Sequence, residues 1–173
     1  MVIEDFVHQS IGEWSVMRSG HSLAFKQFEE VISTIKIRLL KPNDEKVKDL
    51  LEANNCPTIT PKTPFEISWE SNSDWEKDHI HGSSILIPIA KLKNSGVILR
   101  SKGYAEKIQA ISKYSFSQDG TLKLTTQYQQ TMAEERIWFL NSNVRCRSSV
   151  IKSANENAIL QTSFASEIKK INQ

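Results

Sequence analysis

Only two cysteines, Cys56 and Cys146, occur in the 173 residues, and they form no Cys-x-x-Cys pair, so neither a zinc ribbon nor a disulfide scaffold is indicated. Six glycines and five prolines are too few for a low-complexity or collagen-like chain. Neither Gly-x-Gly-x-x-Gly nor Gly-x-x-x-x-Gly-Lys-Ser/Thr occurs, which counts against nucleotide-dependent enzymes. Long apolar runs are missing as well. The longest, Ile85 to Ala90, is six residues and contains Pro88, far short of the roughly 20 that a membrane helix requires. The start, Met1-Val-Ile-Glu-Asp-Phe-Val-His8, carries two acids where a secretory signal has a basic start and an apolar stretch, so a cytoplasmic protein without a membrane partner is expected. With 22 Lys and Arg against 20 Asp and Glu, the net charge of +2 lacks the basic excess that tracks a phosphate backbone. No nucleic-acid partner is expected.

What the chain has is alternation. Two helices are predicted. One spans Ile3 to Ser10, with Ile3, Phe6 and Val7 on one face. The other begins after Pro42, is capped by Asn43 or Asp44, buries Val47, Leu50 and Leu51, and ends near Asn54-Asn55. The remainder alternates with period two over Trp14–Ser19, His21–Phe28, Val31–Leu40, Phe65–Ser71, Ser84–Ile89, Gly96–Lys102, Ile108–Phe116, Thr121–Thr131, Glu134–Leu140, Val144–Lys152 and Ala158–Ile168. About ten strands with short connections predict one domain over residues 1–173, mainly β, an antiparallel meander closed into a barrel.

Two hairpin registers decide which side chains share a face. A loop with Gly120 in the left-handed conformation pairs Phe116 with Leu122 and Tyr114 with Leu124. An Asn141-Ser142-Asn143 loop pairs Leu140 with Val144, Phe139 with Arg145, Ile137 with Arg147 and Glu135 with Ser149. Glu135, Arg145, Arg147 and Ser149 then share one face, either a solvated outer surface or a polar floor inside the barrel. If inward, the arginines would grip a ligand carrying carboxylates, and Glu135 could accept from ring N–H donors. Cys146 falls on the opposite face, which disfavours it as a nucleophile.

Trp14 and Trp138 read as packing residues. Trp69 and Trp75 flank the stretch from Glu70 to Asp74 at the mouth of such a barrel, where flat aromatics suit a conjugated ligand. Asp78-His79-Ile80-His81 invites a metal reading, yet no third and fourth ligand has suitable spacing, and no metal is expected. No Gly-x-Ser-x-Gly elbow marks a hydrolase.

Several stretches in order resemble a known family: Phe6-x-x-x-Ser10-x-Gly12-x-Trp14 followed by Arg18; Ile67-Ser-Trp69 followed by Trp75; Gly103-Tyr-Ala-Glu-Lys107; Ala133-Glu-Glu-Arg-Ile-Trp-Phe139; Val144-Arg-Cys-Arg-Ser-Ser149; and Ser163-Phe-Ala-Ser-Glu-Ile168. From end to end the chain resembles the CpcS/CpeS family of lipocalin-like, S/U-type phycobiliprotein lyases. Ala165 departs from the cysteine of many members and Cys146 from a usually aliphatic position. The resemblance implies a ten-stranded lipocalin-like barrel that takes up a free open-chain tetrapyrrole (phycoerythrobilin or phycocyanobilin) non-covalently. It also implies transfer of that pigment to a cysteine of a phycobiliprotein subunit as a thioether, in a cyanobacterial-type cytosol or plastid stroma.

By the same resemblance, Arg18, Arg145 and Arg147 would hold the propionates, with Ser149 beside them. Trp69 and Trp75 would flank the conjugated system, Glu135 would face the pyrrole N–H groups, and Glu167 would orient the reacting ring or donate a proton. No cofactor is expected beyond the pigment itself, which is substrate. A non-catalytic bilin carrier and a lipocalin-like carrier of an acidic lipid are the alternatives. Action alone, as a homodimer or with a related lyase subunit stays open.

Overall fold

The computed structural model describes residues 1–73, 80–101, 110–155 and 158–171. Ten antiparallel strands close into a barrel in which each strand pairs with its chain neighbours and β1 pairs with β10. They are β1 (Gly12–Ser22), β2 (Gln27–Leu39), β3 (Phe65–Ser73), β4 (Ile80–Leu92), β5 (Ser95–Arg100), β6 (Ala110–Phe116), β7 (Leu122–Gln127), β8 (Thr131–Asn141), β9 (Val144–Ser153) and β10 (Ile159–Lys169). Strict burial alternation in β6 and β7 shows the period-two logic directly: Tyr114, Phe116, Leu122 and Leu124 point in, and their neighbours point out.

Helix α1 (Ile3–Ser10) plugs one end of the barrel. Phe6 packs on Phe116 and Phe139 at ring-centroid distances of 5.8 and 5.4 Å. The indole N–H of Trp14 donates to the Ser10 carbonyl at 2.9 Å, which ties the last turn of the helix to β1. The Phe6…Ser10…Trp14 spacing thus fixes the plug. Helix α2 (Glu45–Ala53), capped by the Asp44 side chain accepting from Lys46 N–H, buries Val47, Leu50 and Leu51 against Ile87 and Leu99 on the outside of β4 and β5.

Three predicted details are corrected. His21–Phe28 is not a separate strand: β1 runs on through Ser22, the chain reverses over 23–26 with Lys26 at φ 52°, and β2 starts at Gln27. Thr121–Thr131 is interrupted after Gln127, where Tyr128 N–H donates to the Thr131 carbonyl and closes a turn. Leu140 does not pair with Val144. A bulge at Leu140 brings Asn141 opposite Val144, and the Asn141 side chain accepts from Asn143 N–H at 2.9 Å, closing a shorter turn and leaving Leu140 64% exposed. The pairs Phe139–Arg145, Ile137–Arg147 and Glu135–Ser149 form as expected, as do Phe116–Leu122 and Tyr114–Leu124, with Gly120 at φ +83°.

Candidate functional site

The face shared by Glu135, Arg145, Arg147 and Ser149 points into the barrel. Strand β10 adds Glu167, directly opposite Arg145 in the ladder. Arg145 Nε donates to Glu167 Oε2, and Arg147 Nε donates to Oε1 of the same carboxylate at 3.1 Å. Arg147 also reaches Glu135, Nη1 to Oε1, at 3.4 Å. From β5, Arg100 Nη1 lies 3.8 Å from the other oxygen of Glu135. Among the described residues of this cluster, three guanidinium groups face two carboxylates, an excess of positive charge that an anionic ligand can neutralise.

The electrostatics follow from this packing. Burial opposes ionisation of Glu167, but the charges of Arg147 and Arg145 and their hydrogen bonds outweigh it and hold the carboxyl below its ordinary range. For Arg147, burial works against the charge and the two carboxylates more than restore it, raising the pKa. Arg145 is lowered to about 10, chiefly by burial and further by Arg147, with Glu167 opposing, and so remains charged at neutral pH. It lies 4.4 Å from the centroid of the Trp14 ring, a cation–π contact in a dry environment.

Above this cluster lies a cavity of about 320 Å³, within the range of roughly 300–1,000 Å³ that takes drug-sized ligands. Its polar wall is Arg18, Arg100, Glu135, Arg147, Ser149, Ser163 and Glu167, and its apolar wall includes Val16, Val31, Ile35, Ile67, Trp69 and Leu86. The Ser149 and Ser163 hydroxyls are 2.7 Å apart. Arg18, toward the end opposite α1, has its Nη2 3.3 Å from Glu29 Oε2 on β2. A smaller cavity of about 50 Å³ lies between this site and the helix plug, bordered by Phe6, Ser10, Arg100 and Arg145.

A family model described as CpeS-like protein matches residues 2–170. The chain belongs to the CpeS-like family. It is similar to chromophore lyase CpcS/CpeS 3 of Trichodesmium erythraeum (strain IMS101), 46% identical over 172 residues, covering 98% of this chain and 99% of the relative. It is also similar to chromophore lyase CpcS/CpeS of Thermosynechococcus vestitus (strain NIES-2133 / IAM M-273 / BP-1), 36% identical over 171 residues, covering 98% and 93%. Among solved structures, the S-type phycobiliprotein lyase CPES from Guillardia theta superposes with a TM-score of 0.88 at 32% identity, covering 100% of this chain and 95% of that one.

Within this CpeS-like barrel, Arg18, Trp69, Glu135, Arg147, Ser149 and Glu167 all line one cavity. Arg145, expected as a propionate partner, does not. It sits beneath the cavity floor, its side chain 2% exposed, paired with Glu167 and stacked on Trp14. Its place is to hold Glu167. Glu167 is itself 1% exposed and pinned through both oxygens, which holds its carboxylate ionised and fixed in place. Trp75, Asp78, His79 and the Gly103–Lys107 stretch lie outside the described residues. Among the described residues, no group of three or more His, Cys, Asp or Glu side chains could hold a metal. No helix there is long and apolar enough to cross a membrane.

Arg100 is the residue that the sequence reading missed. Its signal was parity: it follows the inward Ile98 by two positions, so an otherwise apolar strand face ends in a guanidinium. Burial, and then the charge of Glu167, raise the Cys146 thiol above its ordinary pKa, in keeping with its position on the face away from the arginines.

Proposed function

We propose that this CpeS-like protein is a phycobiliprotein chromophore lyase. It takes a free phycobilin non-covalently into the larger cavity and promotes its thioether attachment to a cysteine of a phycobiliprotein subunit. The observation that carries the reading is the Arg147 bridge between Glu135 and Glu167 beneath a cavity walled by Trp69, Arg18 and Arg100. An open-chain tetrapyrrole brings two propionates, a flat conjugated body and several N–H donors. Arg147 and Arg18 receive the propionates, Glu135 accepts from pyrrole N–H groups, and Trp69 covers part of the conjugated system.

The bond-forming step is an addition. The sulfur of the acceptor cysteine bonds to the exocyclic ethylidene carbon of the pigment, and the thiol proton ends on the adjacent ring carbon. Nothing is oxidised or reduced, so no cofactor is required. The chemical demand on the protein is geometric: one pigment conformation, shielded from water, with its reactive ring presented at the end of the barrel away from α1. Arg145 and Arg147 hold the Glu167 carboxylate so that it orients the ring without giving up a proton.

The test is attachment of phycoerythrobilin or phycocyanobilin to a purified apo-phycobiliprotein subunit with and without this protein. Faster formation of one thioether product with the protein present supports the lyase. A rate and product spectrum that the protein leaves unchanged would reduce it to a carrier.

A further inference from the structure

We propose that Gly82 is a specificity-determining position of the cavity. Lacking a side chain, it seats the Trp69 indole against the barrel wall and keeps the lumen open to a flat ligand. The inference rests on the phycobilin reading and names the residue that sets the width of that site.

Trp69 on β3 and Gly82 on β4 are direct cross-strand partners. Both have the inward parity of their strands, since Ile67 and Trp69 on β3 and Ser84 and Leu86 on β4 line the cavity. A Cβ built on Gly82 would lie 2.5 Å from Cζ2, 2.8 Å from Cε2 and 3.2 Å from Cη2 of the indole. These are neighbouring atoms of one rigid ring system, so no flexible tip can give way and the whole ring would have to swing.

On the other flank Trp69 pairs with Ile35 of β2, which is packed against the core and lines the same cavity. With β2 and β4 both occupied, the displaced ring has the lumen to go into. The backbone does not explain the glycine. Among the described residues the glycines with positive φ are Gly12 and Gly120, and Gly82 is not one of them; a glycine inside a strand also weakens it. What its hydrogen provides is room for the indole.

Gly82→Ala should therefore leave the barrel folded, turn the indole into the lumen and weaken pigment binding. Trp69→Phe removes the outer ring atoms that collide, so Gly82→Ala should cost little when added to Trp69→Phe. The experiment uses the full chain labelled with 5-fluorotryptophan, with the Trp69 fluorine resonance identified by its loss in Trp69→Phe. It is paired with titration of phycoerythrobilin followed by visible absorption.

The expected result is a displaced Trp69 resonance in Gly82→Ala with the other three tryptophan resonances in place, and a Kd raised tenfold or more. The double variant should bind within about threefold of Trp69→Phe alone. An unmoved Trp69 resonance, or a Kd equal to wild type, overturns the inference. If the wild-type chain fails to bind the pigment while the Trp69 resonance still moves in Gly82→Ala, the phycobilin reading fails and the seating of the indole by Gly82 stands.

Discussion

Arg147 bridges Glu167 and Glu135, its Nε 3.1 Å from one carboxylate and its Nη1 3.4 Å from the other. A planar guanidinium can serve two carboxylates in this way, and a lysine ammonium offers no such fork. Arg147→Ala is therefore expected to weaken phycobilin retention by about 1.5–3 kcal/mol, the worth of a charged hydrogen bond, read by absorption titration. Arg147→Lys should recover only part of it. Wild-type affinity in both variants would place the propionate elsewhere.

Glu167 is the keystone of the floor. Removing its charge by Glu167→Gln leaves Arg145 charged and buried without its partner. The expected loss of folding stability is about 3–5 kcal/mol, measured by urea denaturation. For the same reason Glu167→Ala tests folding before it tests chemistry.

The sign of the pH dependence follows from the depressed pKa of Glu167. The folded protein holds this carboxyl below its ordinary value of 4.5, so its contribution is fully present above that value and is lost as pH falls through the lower, folded one. Denaturation midpoints recorded from pH 7 to pH 3 should fall below about pH 4.5 in the wild type and fall less in Glu167→Gln.

Much of this site was legible before the fold was known. The spacing of Arg145, Arg147 and Ser149 against Glu135 depends on a short hairpin whose loop sets the register, and a shift at Leu140 altered the turn without moving those pairs. Contacts across the lumen were not legible. Arg100 meets Glu135 only because the sheet closes, and nothing in the spacing between residues 100 and 135 encodes that approach. The burial of Arg145 was hidden for a similar reason: its cover comes from Trp14 and from the α1 plug at the far end of the chain. Glu167 entered through family resemblance. Its pairing with Arg145 depends on the β9–β10 register, which the loop residues between those strands did not reveal.

A substitution at Glu135 is expected to separate binding from spectral tuning. Glu135→Gln keeps the shape and an acceptor oxygen but removes the charge beside Arg100 and Arg147. The absorption band of the bound pigment is expected to shift more than its affinity changes. Replacing both Cys56 and Cys146 by Ser should leave attachment to the acceptor intact, because in the proposed addition the reacting thiol belongs to the acceptor, and Cys146 is buried with a raised pKa. Activity lost in the double serine variant, with folding preserved, would indicate a covalent enzyme intermediate.

The most direct test of the central claim is the visible spectrum of the purified protein mixed with free phycobilin, before and after denaturation and on a denaturing gel. A red-shifted, sharpened band that denaturation abolishes, with no pigment migrating with the chain, is the expected result. Pigment that stays attached to the chain on the gel, or a spectrum identical to that of free pigment, would contradict the account.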